Sequence, residues 1–214
     1  MTVGKTLFVT CGATVPFPDL VECVINEKFI VEIIKNGYTR LVVQFGTGYE
    51  STFLTLLSGL NIANCTATLS DSKKIPNGDF SIYGSNKTPV CRTFNKTNGH
   101  DEVFSIVGFG ISMNVEQYIK DNVDLVISHA GTGSILDSLK LKKPLIVCVN
   151  TSLMDNHQEQ IANKFGSMGY VLACHPKLDE LIEKFDESQV YEFKEFPTSK
   201  NVKFENLLKT LAYK

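Results

Sequence analysis

No apolar stretch of about 18 or more residues runs uninterrupted through this chain, so no segment reads as a transmembrane helix. Basic residues are slightly outnumbered, 21 Lys and Arg against 23 Asp and Glu, and they form no dense stripe. That argues against general nucleic-acid binding. The six cysteines (11, 23, 65, 91, 148 and 174) include no CxxC pair. Several lie in apolar runs, which reads as buried reduced thiols. Met1 to Lys5 lacks the layout of a secretory leader. The Asn-x-Ser/Thr triplets beginning at Asn64, Asn86, Asn95 and Asn150 therefore read as chance matches, and a soluble cytosolic protein is expected.

Several nucleotide and metal signatures are missing too. The first strand-to-helix turn, Cys11-Gly-Ala-Thr-Val-Pro16, is not GxGxxG, and the second strand ends in Gln44-Phe45-Gly46 with no acid for a ribose. A dinucleotide oxidoreductase is disfavoured. No GxxxxGK[ST] occurs, which excludes a P-loop enzyme. There is no DxD and no His/Cys cluster of ligand spacing, so no metal site and no cofactor is expected.

What is present is alternation. Residues 6–12, 40–45, 103–109, 125–128, 144–149 and 170–173 read as strands. Helical patterns follow from about Asp19 (to a stop at Gly37), over Phe53–Leu60, Val115–Lys120, Ser134–Leu141 and Leu178–Phe185, and over a last segment at about 202–212. With 43% apolar residues in 214, the chain suits one α/β domain with a mostly parallel, Rossmann-like sheet covered on both faces. From about 61 to 102 the pattern dissolves into Asn, Ser, Thr, Lys and Gly. That stretch either hides short antiparallel strands, with Phe80–Tyr83 and Val90–Phe94 as candidates, or is an insertion. Ligands of such sheets bind beyond the carboxyl ends of the strands, a rim that would hold Gly12, Phe109, Ser128 and Asn150.

The stretch Leu125-Val-Ile-Ser-His-Ala-Gly-Thr-Gly-Ser134 is strand, glycine turn and helix start. Backbone N–H groups and the positive end of a helix dipole meet there, which suits a phosphate. Gly131 and Gly133 would admit the ligand, and Thr132 and Ser134 would add hydroxyls. Asp137, one turn on, fits either a ribose contact or an ordinary helix acid. Asp155 and Gln158 have capping-box spacing, yet Asn156, His157 and Gln158 also gather donors suited to sugar hydroxyls. His129 reads as a polar residue bonded to its turn or as a catalytic base.

These segments carry a resemblance. Val9–Pro18, Leu125–Ser138, Lys143–Asn150 and Leu153–Ala162 are similar to the fungal catalytic subunits of the UDP-N-acetylglucosamine transferase of dolichol-linked oligosaccharide synthesis. That family is similar in turn to the donor-binding C-terminal half of GT-B glycosyltransferases. The resemblance implies transfer of GlcNAc from UDP-GlcNAc to GlcNAc-diphospho-dolichol, inverting and without metal. It implies a diphosphate at Gly131–Ser134, ribose at Asp137, and donor sugar at His157 and Gln158. The turn Gly12, Ala13, Thr14 would face the phosphates, and the uracil would lie near Phe109 and Gly110. The general base stays unassigned. Because a GT-B enzyme needs two halves and the acceptor is a lipid, the resemblance also implies a membrane-anchored partner. Residues 202–212, with Phe204, Leu207, Leu208 and Leu211 on one stripe, would lie near that interface, on the cytosolic face of the endoplasmic reticulum. A non-catalytic UDP-sugar-binding module on the same fold is the alternative.

Overall fold

The computed structural model describes residues 4–12, 15–71, 89–96, 102–112, 115–150 and 157–197. The expected strands and helices alternate through β1 (Lys5–Thr10), α1 (Pro18–Val24), α2 (Glu27–Lys35), β2 (Tyr38–Gln44) and α3 (Glu50–Gly59). Then come β3 (Cys65–Asp71), β4 (Val90–Lys96), β5 (Glu102–Phe109), α4 (Val115–Asn122), β6 (Leu125–His129) and α5 (Thr132–Lys140). The described part closes with β7 (Leu145–Cys148), α6 (His157–Ser167), β8 (Leu172–Cys174) and α7 (Leu178–Ser188). Among the described residues the strands form one sheet in the order β3-β4-β5-β2-β1-β6-β7-β8.

From β5 to β8 every neighbouring pair is parallel. A parallel sheet buries both faces, so its strands read as continuous apolar runs instead of alternating. In β1, Leu7 and Val9 enter one core with helices α1, α2, α3 and α7 through Leu20, Phe29, Phe53 and Phe185. Phe8, between them, enters the other core with α4, α5 and α6 through Tyr118, Ile135 and Phe165. The result is three layers, helices on each face of the sheet.

Two expectations are corrected, and one left open is decided. The single helix expected from Asp19 is two. Asn26 takes extended backbone angles (φ −120°, ψ 137°) and its side chain accepts the Lys28 N–H, starting α2 afresh; Asn competes with helix backbone in this way and favours caps. The strand expected at 170–173 is β8, two residues later at its start, because the Tyr170 N–H closes the end of α6 onto the Phe165 carbonyl at 3.1 Å. In the stretch 61–102 the first alternative, hidden antiparallel strands, holds among the described residues. Its Val90–Phe94 candidate is β4, and an unexpected β3 pairs antiparallel with it, Cys65 opposite Lys96. The Phe80–Tyr83 candidate and the segment at about 202–212 lie outside the described residues. No helix among the described residues is long and apolar enough to cross a membrane.

Phe185 of α7 is fully buried and meets Phe29 and Tyr38 edge-on, with ring centroids 5.7 and 5.5 Å away. Phe185→Ala should cost about 3–5 kcal/mol, read as a lower denaturation midpoint at unchanged slope in urea.

Candidate functional site

From β1 the chain crosses to β2 and β5 on one side, and the next parallel strand, β6, lies on the other. This is a topological switch point, where the connections leave in opposite directions and open a crevice at the carboxyl ends of the strands. Thr10 is in register with Ser128 across that point. A cleft of about 360 Å³ opens just beyond, lined by Gly12, His129, Gly131, Gly133, Ser134 and Gln158 together with Cys11, Val15, Phe17 and Asn150.

One wall is the start of α5. Gly131 is its N-cap, with extended backbone and no capping side chain, and the first intrahelical bond runs from the Ile135 N–H to the Gly131 carbonyl at 3.0 Å. The amides of Thr132, Gly133 and Ser134 therefore have no acceptor within the helix. Two of these residues, Gly133 and Ser134, line the cleft, and the dipole adds positive potential there. A Cβ on Gly133 would meet nothing within 4 Å, so the space beside its Cα is open.

The floor is His129. Its Nδ1 lies 3.4 Å from the Thr10 carbonyl, so Nδ1 carries the proton and Nε2 is an acceptor. The ring lies between two glycines. A Cβ on Gly131 would come within 2.3 Å of Nε2, and one on Gly12, at φ +91°, within 3.3 Å. Gly131 is glycine here because of the imidazole beside it, not only because a ligand must approach. Burial pushes the His129 pKa below the ordinary 6.5, against the bond to Thr10, which favours the proton.

The opposite lip is the first turn of α6, where the Gln158 side-chain oxygen accepts the Asn150 N–H at 3.3 Å. An amide engaged through its oxygen keeps its NH2 for another partner. The cysteines, Cys11 of the cleft lining among them, are free thiols. Burial pushes Cys11 up to about 12, and the hydrogen bond with the Cys174 thiol, together with burial, raises Cys148 as well, so both stay protonated thiols.

Of the residues singled out from sequence, the fold thus gathers Gly12, His129, Gly131, Gly133, Ser134 and Gln158 at one cleft. Thr132 is at the same turn without lining it. Ser128 is fully buried and donates to the His129 carbonyl at 2.8 Å. Phe109 is buried against Phe8 at 6.4 Å, and Gly110 sits against the Gly46 carbonyl, at the β5 end of the rim. Asp137 is exposed, its carboxylate 3.6 Å from the Lys140 ammonium. Ala13, Thr14 and Asn156 lie outside the described residues. Among the described residues no three His, Cys, Asp or Glu side chains gather as a metal site would need.

Residues 80–211, more than half of the chain, match the glycosyltransferase family 28 C-terminal domain. The chain belongs to that family. Within it, the chain is 48% identical over 209 residues to the UDP-N-acetylglucosamine transferase subunit ALG13 of Saccharomyces cerevisiae, covering 98% of this chain and 96% of that one. The ALG13 relative of Kluyveromyces lactis is 38% identical over 213 residues, 98% of this chain and 99% of its own. An NMR solution structure of ALG13 superposes with a TM-score of 0.68 at 48% identity, over 96% of this chain and 95% of that one.

Sequence reasoning passed over Thr10 and Gln44, two buried polar residues bonded to each other at 3.0 Å behind the cleft. The mark they leave is a polar residue directly after the apolar run of the strand, Leu7–Val9 in β1 and Leu41–Val43 in β2.

Because native His129 holds its proton less tightly than the unfolded chain does, the unfolded state binds more protons as pH falls through about 6.5. Wild-type stability should therefore fall more steeply between pH 7.5 and 5 than that of His129→Gln, measured by urea denaturation at each pH.

Proposed function

We propose that this chain is the donor-binding subunit of a UDP-N-acetylglucosamine transferase that passes GlcNAc to GlcNAc-diphospho-dolichol with inversion. The observation that carries the reading is the uncapped start of α5, whose free amides open into the cleft at the switch point. The Gly133 and Ser134 amides, with the helix dipole behind them, suit a diphosphate. They also suit a leaving diphosphate, because they stabilise charge as it develops without a metal. In the proposed step the acceptor hydroxyl attacks the anomeric carbon from the face opposite UDP. The bond from that carbon to the phosphate oxygen breaks, and its electron pair leaves with UDP. His129, with an unprotonated nitrogen in the cleft, is the group of this chain to test first as the base for the acceptor proton.

The remaining contacts follow from this placement. Gln158, with its NH2 available, and His157 beside it at the start of α6 are proposed to hold the donor sugar. Asp137 is proposed to exchange its Lys140 contact for the ribose hydroxyls. Phe109 is too buried for direct contact with the uracil, so contact at that end falls to Gly110. The acceptor half is proposed to come from a membrane-anchored partner at the cytosolic face of the endoplasmic reticulum, as the ALG13 relatives, named as subunits, support.

The deciding experiment is a transfer assay with radiolabelled UDP-GlcNAc, using the purified chain alone and co-purified membrane complex. Transfer is expected only from the complex, and it should survive EDTA; conversion by the chain alone at the complex's rate would sink the half-enzyme reading. Gly133→Val should fold normally, given the open space at that Cβ, yet abolish transfer. Asp137→Ala loses a surface ion pair that contributes little to folding. It should weaken UDP binding about tenfold, the loss of one charged hydrogen bond, by calorimetry.

A further inference from the structure

Thr10 ends β1 and is 6% exposed, as is Gln44 at the end of β2. The two are in register across the parallel pair, and the Thr10 hydroxyl donates to the Gln44 side-chain oxygen at 3.0 Å. With its proton so committed, the hydroxyl oxygen accepts the Gly12 N–H at 3.3 Å. The same residue's carbonyl takes His129 Nδ1 at 3.4 Å. The Gln44 main-chain carbonyl adds a bond from the Cys11 N–H at 2.9 Å. One buried residue thus fixes two groups that face the cleft, Gly12 by its hydroxyl and His129 by its carbonyl, and a second holds the first in place. A buried hydroxyl between an amide oxygen and an amide N–H has one favourable proton position, so the turn at Gly12, held at φ +91°, has one favoured direction.

We infer that Thr10, anchored by Gln44, is a positioning residue for the phosphate pocket: it acts on the donor through the Gly12 turn, without touching the donor. This rests on the reading that the cleft takes a donor diphosphate. Thr10→Val removes the hydroxyl at constant shape and leaves the carbonyl. It strands the buried Gln44 oxygen, which costs stability, whereas replacing both partners by apolar groups is nearly neutral. The double variant Thr10→Val with Gln44→Leu therefore separates the two effects.

The test uses the full chain and UDP as probe, with calorimetry for affinity, thermal unfolding for stability and 1H–15N spectra for Gly12 and His129. Thr10→Val should lower UDP affinity about fivefold, the equivalent of one neutral hydrogen bond, and shift the Gly12 amide resonance, while the His129 ring keeps its tautomer. Thr10→Ser should bind within about twofold of wild type. The double variant should regain stability without regaining affinity. Affinity that returns with stability in the double variant, or that is unchanged in Thr10→Val, overturns the positioning role. Failure of the wild-type chain to bind UDP overturns the donor reading beneath it, and an unmoved Gly12 resonance in Thr10→Val overturns the hydrogen bond itself.

Discussion

The parallel pairing of β1 with β6 is the constraint on which the rest of the molecule depends. Parallel neighbours cannot be joined by a tight turn, so each strand must be followed by a crossover, and crossovers have one hand. Once β2 and β5 add on one side of β1, and β6, β7 and β8 on the other, the connections part at the β1–β6 boundary. The crevice there is a consequence of chain topology before any side chain is chosen. What the side chains decide is its chemistry: uncapped amides from α5, an imidazole floor and an amide lip from α6.

Much of this was legible in the sequence because parallel strands buried on both faces leave continuous apolar runs, and those runs end abruptly. Val126-Ile127 into Ser128-His129 is such an edge, and it pointed to the cleft directly. Antiparallel edge strands write a fainter text. β3, Cys-Thr-Ala-Thr-Leu-Ser-Asp, has two threonines and one leucine to mark it, and its pairing with β4 is not local. The break between α1 and α2 is the reverse case. The apolar spacing continues across it, while one Asn side chain settles the backbone against helix. The site residues were legible as a set and less so in their roles, since Ser128 and Phe109 sit at the right strand ends with side chains turned into the protein.

Polarity inside this sheet is concentrated at its carboxyl edge. Thr10, Gln44, Ser128 and Asn150 are buried polar residues at or just past strand ends. Each buried polar group must be matched by a partner or it costs stability, so the edge is stiffened by short bonds such as Thr10 to Gln44 and Ser128 to the His129 carbonyl. A rigid rim suits the task of presenting backbone amides in fixed directions. The wider surface carries looser chemistry, exemplified by the exposed Lys140–Asp137 pair at 3.6 Å.

The imidazole of His129 and the missing side chain of Gly131 occupy one volume between them. Neither residue is free to vary alone: an alanine at 131 has no room while the ring is in place, and a small residue at 129 would leave a hole beneath the glycine turn. Their substitutions are therefore epistatic, and the order in which they arise matters. A lineage that shrinks residue 129 first passes through a cavity, which a protein can survive at some cost in stability, whereas one that enlarges residue 131 first passes through a clash. Descendants of this site should accordingly keep both residues or change both, with the ring lost before the glycine.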